Sequence, residues 1–258
     1  MNKKKLVIFV SIVFVLGICL PSVFGQEGKL KLKDKPITIN FVKKPLFDVF
    51  MRLIYDYDVA IGFEQSILDS EHDDYNFQTN IPYKEPIIYA PNGTRRIMSG
   101  WRPTIDNHLI SVNFKDARLE DVLNNVVKQM KNYDWEVNND VVNIFPILGR
   151  DPILKKLLDI KIRAFEVSNN GEVGIIQPLI ILYLPEFKSF LAENELNSYA
   201  RKVGSWFDER PLEFGMKFSN LTFRELLNEI TKSKRGGWIL KKTKSSNIKE
   251  GEIIEIMI

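Results

Sequence analysis

The sequence predicts an α+β protein made of tandem small β-α-β-β modules, each with one helix packed on a small sheet. Three observations point there. A period-two strand pattern occurs three times, a helix pattern follows it each time at the same offset, and further strand patterns follow the helix. In each copy the strand ends in phenylalanine, and apolar residues recur at +5, +8, +9 and +12 from it.

The first copy runs Ile37-Thr38-Ile39-Asn40-Phe41, then Leu46, Val49, Phe50 and Leu53. Alternation of Ile37, Ile39 and Phe41 marks a strand with one buried face, and the later spacing is the stripe of an amphipathic helix. Pro45 falls where a first-turn proline is tolerated, and Val59 to Glu64 supplies the return strand. In the second copy, Ile110 to Phe114 leads to Leu119, Val122, Leu123 and Val126, with Asp116 as a candidate helix cap. Strands at Tyr133 to Val137 and Val141 to Phe145 then flank the turn residues Asn138, Asn139 and Asp140. The third copy has Phe214 to Phe218, then Phe223, Leu226, Leu227 and Ile230, with Thr222 as cap and strands at Gly237 to Lys241 and Ile253 to Ile258.

Between the copies the patterns weaken. Residues 66–99 are polar and broken by Pro82, Pro86, Pro91 and Gly93, so they read as a long connection with a short strand at Ile87 to Ala90. Residues 159–207 contain a strand-like start at Ile160, Ile162 and Ala164, an apolar run from Val173 to Leu184, and a helical pattern from Glu186 to Val203. The expected organisation is residues 1–25 as a signal peptide, 30–95 as the first module with its long connection, 100–150 as the second, and 158–258 as a divergent third.

The N-terminal assignment rests on Lys3, Lys4 and Lys5, the uncharged run Leu6 to Leu20 and the small, polar stretch after Pro21, which are the parts of an export signal. The run is shorter than the roughly 20 residues of a membrane-spanning helix, so cleavage before Gln26 with no permanent span is expected. Cys19, the single cysteine, lies in that segment, and Ile18 before it is too bulky for a lipidation site. The exported chain therefore holds no disulfide and depends on its apolar core. A periplasmic or secreted location follows. The net charge of +3 includes the three signal lysines, so the exported chain is near neutral and carries no basic stripe for nucleic acid. Lys29 to Lys35 and Lys232 to Lys244 are locally basic and read as a solvated tail and a solvated loop.

The stretches ITINFVKKPLFDVFMRLIYDYDVAIGFE and ISVNFKDARLEDVLNNVVKQMKNYDWEVNNDVVNIFPI resemble the secretin and TonB short N-terminal (STN) domain. Leu119-Glu120-Asp121-Val122-Leu123 and Val141-Val142-Asn143-Ile144 carry the likeness best, over roughly residues 36–64 and 109–147, with a looser echo at 213–258. The resemblance implies periplasmic docking or signalling modules. No barrel-forming region follows here, so it implies a stand-alone adaptor whose partner is an envelope protein such as a secretin or TonB-system component.

Motifs for chemistry are sparse. The chain has two histidines, His72 and His108, and no Gly-x-Ser-x-Gly elbow. His72 sits in the acidic stretch Asp69 to Asp74, which has ligand types for a divalent metal but reads as a solvated loop. Asp56 and Asp58 flank Tyr57, and Gly236-Gly237 reads as a helix exit without a phosphate-binding continuation. No catalytic, cofactor or metal residue is therefore expected. Trp135 and Trp238 occupy matching strand positions and are expected in the core, whereas Trp101 and Arg102 are the candidates for an exposed partner contact. The leading expectation is a non-enzymatic protein that binds through a free strand edge or helix-sheet groove. The alternative is a periplasmic or secreted hydrolase or carbohydrate-binding protein using carboxylates near Asp56 to Glu71.

Overall fold

The computed structural model describes residues 36–70, 87–89, 95–97, 108–167, 181–201, 215–234, 236–244 and 252–258. The signal segment, the basic tail before Pro36, His72, Trp101 and Arg102 lie outside the described residues. Among the described residues no helix is long and apolar enough to cross a membrane.

The class is α+β, as the repeats predict. In the first copy, β1 (Ile37–Pro45) leads into α1 (Leu46–Tyr57) and β2 (Ala60–Glu64), followed by the short helix α2 (Ile67–Ser70). In the connection, β3 (Ile87–Tyr89) pairs with β4 (Arg95–Ile97), which places the expected short strand. The second copy gives β5 (Leu109–Ala117), α3 (Leu119–Met130), β6 (Tyr133–Asn138) and β7 (Val141–Pro146). The rest comprises α4 (Pro152–Asp159), β8 (Lys161–Val167), α5 (Pro185–Glu193), β9 (Asn197–Arg201), β10 (Met216–Thr222), α6 (Phe223–Lys234), β11 (Gly237–Lys244) and β12 (Glu252–Met257).

The copies are not separate beads, because their strands interleave. The opening strands β1 and β5 pair antiparallel with each other as a two-stranded ribbon, and β10 pairs with β8 in a second one. The return strands of all three copies meet in one six-stranded sheet, ordered β6-β7-β2-β11-β12-β9. β2 lies between β7 and β11, parallel to both, and every residue of it is buried. A strand covered on both faces has no polar side to alternate, which is why Ala60-Ile61-Gly62-Phe63-Glu64 lacks period two.

The sheet separates two cores. On its first face Ile61, Phe63, Val142, Ile144, Ile239 and Met257 pack with α1, α3 and the β1–β5 ribbon. On the second, Trp238, Leu240, Ile254 and Ile256 pack with α4, α5 and α6. α1 turns seven of its side chains inward, each worth about 1.5–3 kcal/mol of transfer free energy when fully buried.

Several local expectations change. Pro45 is the N-cap of α1, one position before the first turn. Asp116 does not cap α3. It has a left-handed backbone (φ 52°) in a bulge of β5, where its N–H donates to the Thr38 hydroxyl (3.0 Å) of β1. Thr222 does cap α6: Glu225 N–H donates to its hydroxyl, while the Thr222 N–H (2.7 Å) and hydroxyl (2.9 Å) donate to the Glu225 carboxylate and hold it below its usual pKa. The helix expected over Glu186 to Val203 ends at Glu193, because Asn194 turns its amide onto the Phe190 carbonyl (2.8 Å) and Glu195 adopts φ 53°. The chain then pairs as β9 with β12. The basic stretch Lys232 to Lys244 is also no solvated loop. Lys241 pairs with Glu255 (3.2 Å) and Lys242 bridges Asp151 (2.7 Å) and Glu252 (2.9 Å), all at or below the sheet surface.

Candidate functional site

Several of the described ionisable groups are held in structural contacts. Asp56 forms an ion pair with Arg52 one helical turn earlier, and Asp58 is the left-handed C-cap of α1 (φ 59°). Asp69 and His108 do come together. The Asp69 carboxylate accepts the Tyr133 hydroxyl and lies 3.3 Å from His108 Nε2, while Tyr133 Oη accepts the Ser66 N–H (2.8 Å). This joins the first copy to the second beneath the β6–β7 hairpin. Burial, then the bond to Asp69, pushes the Tyr133 hydroxyl far above its ordinary pKa. Its contribution to stability is therefore fully present below the ordinary tyrosine value of about 10 and declines as pH rises past it. Tyr133→Phe is expected to flatten that alkaline decline in urea titrations between about pH 9 and 11, with a loss at neutral pH of about 1–3 kcal/mol from the unsatisfied Ser66 N–H.

A recess lies between α1, β2 and β11. It encloses about 330 Å³ including space open to solvent, and its walls, among them Phe47, Met51, Ile54, Phe63, Ile239 and Met257, contain no titratable side chain. Among the described residues no three His, Cys, Asp or Glu side chains gather as metal ligands.

The strand edges differ among themselves in a way that bears on binding. An edge strand presents unpaired N–H and C=O groups, and proteins commonly cover them. On the outer edge of β1, the Thr38 N–H donates to the Tyr57 hydroxyl (3.0 Å), which donates back to the Thr38 carbonyl. On the outer edge of β5, Gln129 does the same at the equivalent residue: Ser111 N–H donates to Oε1 (2.9 Å) and Nε2 donates to the Ser111 carbonyl (2.9 Å). The first two copies thus each cover their own opening strand with a side chain from the end of their own helix. On β8, Arg163 N–H donates to Glu186 of α5 (3.2 Å). Tyr57→Phe is expected to destabilise the fold by about 1 kcal/mol and to speed amide exchange at Thr38 without changing it at Ser111.

β6 and β9 are the two end strands of the six-stranded sheet, and at β6 Asn139 and Asp140, with φ 51° and 61°, form the two-residue turn to β7. In such a hairpin Asn138 and Val141 share their hydrogen bonds, and the alternation then points the peptide groups of Tyr133, Trp135 and Val137 away from β7. The Trp135 N–H is held by its neighbour Asp134 (2.8 Å), a local bond that involves no other element. Val137 carries no such cover, and its side chain is 40% exposed.

The same hairpin carries an apolar patch at its base. Ser66 Oγ bonds to the carbonyls of Leu148 (3.3 Å) and Gly149 (3.2 Å), and Ile67 N–H donates to Gly149 O (3.0 Å), so two distant loops lie side by side. Gly149 has φ 69°, and a Cβ there would lie 2.6 Å from Leu68 and Ser66. Ile67, Leu68, Ile147 and Leu148 stand exposed together, the last two by 60% and 61%.

Trp238 is buried in the second core, as expected, and its Nε1 donates to Asn228 (2.8 Å) on α6. Trp135 packs partly against the first core and donates to Asn124 (2.9 Å) on α3. The two tryptophans therefore lie on opposite faces of the sheet. Comparison with known protein families, with curated proteins and with solved structures finds no match.

Proposed function

We propose that the chain is a non-enzymatic docking protein of the bacterial envelope, exported by residues 1–25, whose STN-like modules bind an envelope protein of secretin or TonB-system type by strand addition at β6. The observation that carries this reading is the contrast between edges: Thr38, Ser111 and Arg163 are covered by side chains, and Val137 is not. Main-chain groups left unpaired at a sheet edge supply affinity, and the exposed Ile147 and Leu148 beside the hairpin extend the contact. The hydrolase alternative finds less support, since the recess between α1, β2 and β11 is apolar and the Asp56 and Asp69 carboxylates are engaged with Arg52 and Tyr133.

Capture from envelope extract tests the reading. The Val137 N–H makes no bond to β7, so Val137→Pro keeps the ladder intact while blocking an added strand. A specific envelope protein captured by the unaltered chain and lost with Val137→Pro supports docking at β6. Capture of nothing above background, or capture indifferent to Val137→Pro, removes the proposal.

A further inference from the structure

We infer that β6 also accepts a strand from a second copy of this chain, namely the segment Lys29-Leu30-Lys31-Leu32-Lys33. The inference rests on the reading of β6 as a strand-accepting edge, and it identifies an occupant by complementarity. β6 alternates chemically along its length. Asp134 and Glu136 are exposed on one face, and Trp135 and Val137 lie on the other. Lys29 to Lys33 alternates in the same period, with three lysines on one side and two leucines on the other. Paired strands align their side chains face by face, so a single register sets lysines beside Asp134 and Glu136 and leucines beside Trp135 and Val137. Five residues of strand extend about 17 Å, which matches the six residues of β6. The β1–β5 ribbon offers the segment no such match, because its exposed Lys43, Lys44 and Lys115 repel lysine.

The topology assigns the donor to another molecule. Only Asp34, Lys35 and Pro36 separate the segment from Ile37, a tether of about 10 Å. β1 lies beside β5, and α3 packs between β5 and β6, so a strand spacing of about 5 Å and a helix diameter of about 10 Å separate the tether from β6. On addition, the Trp135 N–H passes from Asp134 to the incoming carbonyl, and the freed carboxylate meets a lysine. Donor and acceptor are different surfaces, so the contact is head-to-tail and competes with the envelope partner for β6.

Two measurements on the exported chain test this: sedimentation against concentration, and amide exchange at Val137. The expected result is self-association that rises with concentration and falls with salt, accompanied by slowing of Val137 exchange on the order of a hundredfold in the associated form. Reversal of the tail (Lys29→Glu, Lys31→Glu, Lys33→Glu) abolishes both, as does reversal of the edge (Asp134→Lys, Glu136→Lys). Mixing the two altered chains restores association, because each then offers what the other lacks. A chain that stays monomeric to millimolar concentration, association indifferent to both reversals, or Val137 protection independent of concentration overturns the inference. Partner capture that depends on Val137 in a strictly monomeric chain removes the self-contact and leaves the docking edge standing, whereas loss of both removes the edge.

Discussion

Glu64→Ala is expected to destabilise the protein by about 3–5 kcal/mol, measured as a lower urea midpoint at unchanged slope. Glu64 ends β2 with its side chain fully buried on the second face of the sheet. It accepts two bonds from Arg150 (2.7 and 2.8 Å) and one from Arg224 of α6 (3.2 Å), and the Arg150 guanidinium also lies over the Phe145 ring (5.2 Å). One carboxylate thus joins the first copy, the segment after the second, and the helix of the third. The bond to Glu64 raises the Arg150 pKa, and without that bond the guanidinium still stays charged at neutral pH through its own basicity. The cost of Glu64→Ala is that of leaving these cations without their counter-charge in a partly desolvated site. A control separates this from any intrinsic merit of the cluster. Replacing all three by apolar residues of similar volume, Glu64→Leu with Arg150→Met and Arg224→Met, is expected to recover most of the loss.

Trp238→Ala is expected to cost about 3–5 kcal/mol, and its effect is coupled to Gly62. The two residues are direct neighbours in the parallel β2–β11 pairing, and the indole lies across the glycine, so an added Cβ would come within 2.4–2.6 Å of three of its ring atoms. Gly62→Ala alone is therefore an overpacking change of about 1–3 kcal/mol. With Trp238 already removed the same alanine enters free space, and its cost should fall well below 1 kcal/mol. Thermal unfolding of the two single variants and the double variant gives the coupling directly. Additive effects would mean that the indole does not rest on Gly62.

The Gly62–Trp238 contact illustrates what the residues disclose in sequence order and what they withhold. The threefold repeat is legible because both of its periods are local, and the strands and helices fall close to where the spacing places them. Which strand pairs with which is a long-range matter. The local signs that β2 would be central are the missing period two of Ala60 to Glu64 and a glycine inside the strand, and neither says which strands flank it. Trp135 and Trp238 occupy similar places in the pattern yet face opposite cores, since a one-residue slip along a strand reverses its faces. α4 is marked in the sequence by the start signal Asp151-Pro152 alone, its eight residues being too short for a clear period: the Asp151 carboxylate accepts the N–H of Ile153 (2.7 Å) and Leu154 (3.2 Å). An open sheet edge is expected of small open sheets, but that β6 and β9 would end the six-stranded sheet is not local information. Tyr57 and Gln129 cover groups 19 and 18 residues away, and Glu186 one 23 residues away, contacts that no local spacing encodes. The Ser66–Tyr133–Asp69 bonds likewise join residues more than sixty positions apart.

The most direct test of docking at β6 is site-specific photocrosslinking in living cells, with the reactive side chain placed in turn at Val137 and at Thr38. Strand addition at the uncovered edge gives a discrete adduct with an envelope protein from Val137 and none from Thr38, where Tyr57 already occupies the peptide groups. Adducts of equal yield from both positions, or from Thr38 alone, would contradict it.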